Sequence, residues 1–375
     1  MSPVASDRSP TGDRGPWRDP EHYLYERYLG SERRLPALSI YYTIKPLVPR
    51  PLQLALRRRY ARKQMKRTFP AWPIEPILVE HQHAEFRSRL RASESDAVPF
   101  VNFWPEGRRF ACVLTHDVEG PAGVANIGRV LQVEQRHGFV SAFNFVGEGY
   151  TIPTGIFDDL RAAGCEVGLH GIRHDGRLFQ SRSRFEADLP VIGRYLEEWD
   201  VDGFRSPSTM RNADWMHELG CLYDSSFPDT DPFEPQPGGC CSIFPFFFGE
   251  VVELPITLVQ DHTLFEILGE RSIEYWIHKS EWIMRHHGLI NLIVHPDYMV
   301  DSKRLDLYEQ FLRFLRSKEG GWTTLPHQVA RWWKARASLE THAPERDALP
   351  DVVGDRFVPT VAYAREVDGQ VVFST

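Results

Sequence analysis

The sequence has no long apolar run: nothing in it approaches the roughly 18 consecutive apolar residues that a membrane-spanning helix needs. Its first residues, "MSPVASDRSPTGDRGPWRDPEHY", contain no apolar core of the kind a secretory signal carries. The cysteines are few and odd in number, at positions 112, 165, 221, 240 and 241. Their spacing is irregular, which excludes a disulfide framework. No internal repeat is present. Acidic residues are missing altogether from Lys45 to Phe69, "KPLVPRPLQLALRRRYARKQMKRTF", which holds nine Lys and Arg. With a formal net charge of -7 overall, the remainder is correspondingly acidic. These absences together point to a cytoplasmic protein.

What is present is ordinary globular material: 375 residues, 42% apolar and 25% charged, enough for a sizeable core. The basic block has two readings. It is either a surface for phosphates or an anionic membrane, or a solvated helix paired with acidic groups of the main domain. Its helical wheel does not separate cleanly, because Leu52 and Leu56 fall among the cations while Leu54, Ala61 and Met65 fall opposite.

Four segments follow along the chain. Residues 1–20 have the composition of a disordered terminus. Residues 21–107 read as a helical extension that includes the basic segment, 108–338 as the main domain and 339–375 as a tail. Within 108–338, β-rich apolar runs alternate with helical patterns: "FACVLTH", "FVSAFNFVG", "CEVGLH", "DGFRSP", "CLYDSSF", "VVELPI", "LINLIVHP" and "WTTLP". Such alternation predicts a largely parallel sheet, closed or nearly so, with reactive residues at the carboxyl ends of its strands. Ile273, Trp276, Ile277, Ile283 and Met284 form one amphipathic stripe, and Leu305, Tyr308, Leu312 and Leu315 a second. Both are predicted core.

The strand ends are chemically loaded. "VLTHDVEG" supplies Asp117 and Glu119, "GLHGIRHDG" supplies His170 and His174, "GFRSPS" supplies Arg205, "LYDSSF" supplies Asp224 and "NLIVHPDY" supplies His295. Two histidines and a carboxylate make a facial ligand set for Zn²⁺ or a similar divalent ion. A second carboxylate can deprotonate a water, and a further histidine can protonate a leaving amine. This inventory suits metal-assisted amide hydrolysis.

The order and spacing of five motifs over about residues 108–336 resemble the polysaccharide deacetylases, carbohydrate esterase family 4. The resemblance implies a distorted (β/α)7 barrel. "THDVE" is similar to the family's first motif and makes Asp117 the general base. Val118 stands where a ligating acid is usual and cannot ligate; the resemblance to branches of the family with D-x-D spacing implies Glu119 as the candidate third metal ligand, beside His170 and His174 of "HGIRH". Gly171 replaces the usual hydroxyl residue of that motif. "RSP" places Arg205 against Asp117 and a backbone N–H near Ser208 at the oxyanion. "DSSF" implies Asp224 as the group tuning the catalytic histidine and Phe227 as a groove wall. "LIVH" implies His295 as general acid and Leu292 in the acyl pocket.

The expected substrate is an N-acyl amino sugar or a lipid- or nucleotide-linked glycan precursor, with peripheral contact to an anionic membrane through residues 45–69 and no nucleic acid. Two other readings fit the same residues: a deformylase or cyclic-amidase relative acting on a small amide, and a glycan-binding protein of weak or no activity.

Overall fold

A computed structural model of the chain describes residues 19–33, 50–340, 349–353 and 357–375. Most of the expected disordered terminus, the first part of the basic block and the start of the expected tail lie outside the described residues. The strands are β1 (Ala97–Val101), β2 (Phe110–Val118), β3 (Ala142–Phe145), β4 (Glu166–Leu169), β5 (Gly203–Phe204), β6 (Tyr223–Asp224), β7 (Phe246–Phe248), β8 (Val251–Glu253), β9 (Leu289–Ile293), β10 (Gly321–Thr323), β11 (Val361–Val367) and β12 (Gln370–Ser374).

Seven parallel strands run side by side in the order β9, β2, β3, β4, β5, β6, β8. The gap between β8 and β9 is bridged irregularly: the amides of Thr257 and Leu258 both donate to the Asn291 carbonyl, at 3.2 and 3.1 Å. The result is the distorted (β/α)7 barrel expected from the sequence. β10 adds in parallel to the first residues of β2, and β7 pairs antiparallel with β8.

Strand alternation sets what faces the barrel axis. In β2, Cys112 and Leu114 point outward into an apolar layer shared with Ile290, Leu292, Trp276, Ile283, Tyr308 and Leu312. Here both predicted stripes meet the sheet, on helices Glu274–Arg285 and Ser302–Arg316. Trp276, Ile283, Tyr308 and Leu312 are fully buried, each contributing about 1.5–3 kcal/mol by transfer from water. Ala111 and Val113 point inward, onto Tyr223, Val252, Leu254 and Leu289.

The carboxy-terminal segment contributes a hairpin. β11 pairs with β1 and β12 with β11, making a separate three-stranded antiparallel sheet. The first helix of the basic block, Arg50–Gln64, packs on the barrel: Ala61 is buried against Phe233 and Ile267. Arg57 and Gln64 donate to the carbonyls of Phe233 and Pro232. All five cysteines are free and buried. No helix among the described residues is long and apolar enough to cross a membrane.

Candidate metal and active site

At the carboxyl end of β2 the inward positions turn from apolar to polar, through Thr115 and Asp117 to Glu119. Val118, between the two acids, is fully buried in an outward apolar cluster with Ile127 and Phe145. The two-residue spacing therefore brings Asp117 and Glu119 to the same side. Buried Arg205, following β5, donates from its Nη1 to Thr115 Oγ1 at 2.8 Å and to Asp117 Oδ1 at 3.3 Å. Its Nε and Nη2 donate to the Ser225 carbonyl and hydroxyl, at 2.8 and 2.9 Å. Asn144 of β3 donates to the same Asp117 oxygen at 2.9 Å. Burial alone would raise the Asp117 carboxyl, but Arg205, His170, His295 and the Asn144 amide outweigh it and hold the group below its usual range.

His170 follows β4 directly. Its Nδ1 lies 3.2 Å from the Arg205 carbonyl, which can only accept, so Nδ1 carries the proton and Nε2 a lone pair. That Nε2 is buried without a hydrogen-bond partner, 3.9 Å from Asp117 Oδ2. Burial pushes the ring down to about 4 despite Asp117, which keeps it neutral. His174 Nε2 stands 2.9 Å from Glu119 Oε1. Burial opposes charge on Glu119, but the hydrogen bond from His174 and the His295 charge outweigh it and hold the carboxyl well below its usual range.

The ligand atoms of Glu119, His170 and His174 all lie within 4.8 Å of one another. Ligands at about 2.0–2.2 Å from one ion stand about 3–4 Å apart, so the three residues fit a divalent cation, and the orphaned lone pair of His170 is what such an ion satisfies. The Arg205 carbonyl that fixes the His170 tautomer is the usual supporting contact of a metal-binding imidazole.

Gly171 is explained by its surroundings. Its φ is 66°, in the left-handed region, and a Cβ there would meet Pro207 Cδ at 2.6 Å. The "HGIRH" and "RSP" motifs thus pack directly on one another, leaving no room for a hydroxyl side chain.

His295 follows β9, on the inward parity of Asn291 and Ile293. Its Nε2 is 3.6 Å from Glu119 Oε1. Its Nδ1 is 2.6 Å from Asp261 Oδ1, and its backbone N–H donates to Asp261 Oδ2 at 3.0 Å. Burial opposes protonation of the ring, yet Asp261 outweighs it and raises the group to about 10.

Three expectations need correction. Asp224 does not touch His295. It lies on the outward face of β6, where it accepts from the Ser226 hydroxyl at 2.7 Å and amide at 3.0 Å and faces buried Glu253. Strand parity is the reason, since Ser225, one residue on, is the inward residue that meets Arg205. Leu292 has outward parity and is fully buried in the helix-side layer, away from the site. Phe227 is fully buried against Phe248, with ring centroids 5.1 Å apart, and forms no groove wall. Ser208 sits in the turn Pro207–Thr209 with φ 55°, close in sequence to Arg205.

Asp261, Asn144 and Asp297 also support the site, and the motifs do not single them out. Asp297 accepts from the amides of Glu119 and Gly123, at 3.0 and 2.9 Å, and so fixes the loop that carries Glu119. Asn144, a lone amide in an otherwise apolar strand, was legible in principle. Asp261 was not, because nothing in "LVQDH" links it to a histidine 34 residues later.

A structure named as a polysaccharide deacetylase from Mycobacterium smegmatis aligns with 68% of this chain and 98% of its own, at 18% identity and a TM-score of 0.51. The fold is that of the polysaccharide deacetylases. A structure of the same name from Pseudomonas aeruginosa PAO1 covers 61% of this chain and 92% of its own (17% identity, TM-score 0.47). PuuE allantoinase covers 62% and 92% (16% identity, TM-score 0.48). No protein-family model and no curated protein matches the sequence. At these identities the polysaccharide-deacetylase likeness is one of fold, and the chemistry has to be argued from the side chains.

Proposed function

We propose that the protein is a metal-dependent hydrolase that removes an N-acetyl group from an amino sugar of a glycan or glycan precursor. The observation that carries this reading is the buried, unpartnered Nε2 of His170, facing Glu119 and His174, with Asp117 and His295 beside them. The polysaccharide-deacetylase fold supports the choice of an amino-sugar amide.

Glu119, His170 and His174 hold the cation, Zn²⁺ or a similar divalent ion, which when bound acidifies water and polarises an amide carbonyl. Asp117 accepts the proton of the attacking water. Arg205 and Asn144 keep its carboxylate ionised and aimed, so the base needs no reorganisation at the moment of reaction. The backbone N–H near Ser208 donates to the oxygen that gains charge. His295, kept protonated by Asp261, delivers a proton to the departing nitrogen. Water adds across the C–N bond, leaving acetate and the free amine. A lipid- or nucleotide-linked carrier of the sugar belongs to this same proposal.

The test is acetate release from N-acetyl amino-sugar oligomers by chelator-treated protein reloaded with Zn²⁺, Co²⁺ or Mn²⁺, together with metal analysis. The expected result is activity restored by metal, one ion per chain, and loss of both in His170→Ala. A well-folded wild type that takes up no ion sinks the proposal.

A further inference from the structure

The helix Arg50–Gln64 resolves the mixed wheel seen in the sequence, because it has two apolar lines rather than one. Leu54, Arg57, Ala61 and Gln64 form the inner line and meet the barrel through Phe233, Pro232 and Ile267. Arg58 Nε adds a hydrogen bond to the Glu266 carbonyl at 2.9 Å. On the other side, Leu52, Leu56 and Tyr60 repeat every four residues and are 51%, 58% and 50% exposed. Arg59, Arg62, Lys63 and Lys66 are exposed around that line, and among the described residues they form no ion pair with an acidic group. Met65, 47% exposed, follows Ala61 by one turn, its amide donating to the Ala61 carbonyl at 2.9 Å, and continues the inner line rather than the outer one.

We propose that this outer face is a docking surface for an anionic lipid bilayer. An apolar line bordered by cations on a helix otherwise fixed to a folded domain matches the two layers of a membrane surface: acyl chains take Leu52, Leu56 and Tyr60, and headgroup phosphates take the cations. Charge complementarity selects the occupant, since no acidic residue lies between Lys45 and Phe69 to attract a basic partner. A polyanion such as nucleic acid would use the cations but leave three exposed apolar side chains without purpose.

The location links the surface to the candidate site. The inner face of the helix packs on the segment His262–Leu268, which begins one residue after Asp261, the partner of His295. A bilayer on the outer face therefore lies against the flank of the barrel that supports this histidine. The docking surface stands on its own, while its consequence, access to an acetylated sugar on a lipid carrier, rests on the deacetylase reading.

The experiment is co-sedimentation of the full chain with vesicles of phosphatidylcholine alone and of phosphatidylcholine mixed with phosphatidylglycerol. The wild type should bind the mixed vesicles and not the neutral ones. Neutralising two cations, in Arg59→Gln with Lys63→Gln, should weaken binding by roughly thirty-fold, since each cation near such a surface strengthens it by about fivefold. Leu52→Ser with Leu56→Ser should also weaken it, with the unfolding midpoint of both variants nearly unchanged because all four side chains are exposed. A wild type that ignores anionic vesicles overturns the proposal. So does a serine variant that binds as well as the wild type, which would mark the face as a simple polyanion contact. Because binding is read without substrate, its failure is distinguishable from absence of acetate release on soluble oligomers.

Discussion

The two halves of the barrel interior are built from the same strands and behave oppositely. Below, Ala111 and Val113 of β2 meet Val252, Leu254 and Leu289, and the floor continues into an aromatic layer in which Trp104 packs on Trp333 and Phe103 on Phe100 and Phe373. Trp104 is fully buried and its one polar atom is satisfied, donating to the His287 carbonyl at 2.6 Å. Above, two and four residues later on the same face, Thr115 and Asp117 meet Arg205, Asn144 and His170. There a buried ring nitrogen lacks a partner, and a buried ion pair carries charge that water would solvate better. The lower half lowers the free energy of the fold. The upper half spends part of it on groups held ready for chemistry.

Changing one residue in each half tests that division. The largest effect is expected above: Asp117→Asn should lower deacetylation by about a thousandfold, the scale of a lost general base, with metal content nearly unchanged. Trp104→Ala should do the reverse below. Its cost of about 3–5 kcal/mol should appear in denaturant unfolding, while the protein that remains folded keeps its kcat.

Asp261→Asn is expected to reduce kcat on an N-acetyl amino sugar by about a hundredfold, because His295 loses the group that keeps it protonated. The same variant should hydrolyse a nitrophenyl acetate nearly as well as the wild type, since a phenolate leaves without a proton. An equal loss on both substrates would mean that Asp261 only maintains the fold.

The smallest effect concerns the histidines of the lower half. Burial, with the nearby positive charges of His83 and Arg285, pushes His286 down to about 4 from 6.5. Burial and Arg109 do the same to His287. As pH falls, the unfolded chain takes up these protons before the folded one does, so stability should drop between about pH 6.5 and about pH 4. His286→Gln should make that decline shallower by close to one proton, measured as urea midpoints across the pH range, without altering stability at pH 8 by comparison.

The fold was legible because it rests on periodicity. Alternating β-rich and amphipathic segments, with Trp276, Ile283, Tyr308 and Leu312 at helical spacing, leave few ways to bury apolar faces other than a parallel barrel under a helical layer. The ligand candidates were legible too, since Glu119, His170 and His174 each end or follow a strand, and the structure brings them together. Asp224 and Leu292 were misplaced for one shared reason. A motif gives order along the chain, but the direction of a side chain depends on strand parity, and a single-residue offset turns it from axis to helix layer.

The sequence by itself determined the barrel, the loaded strand ends and the incapacity of Val118 to ligate, because these follow from local pattern and side-chain chemistry. Only the tertiary structure decided that Asp261 supports His295, that Gly171 yields to Pro207, and that the basic helix keeps one apolar line buried and another exposed. Those are contacts between segments far apart in the chain, and their partners are chosen by packing in three dimensions, which no spacing along one strand encodes.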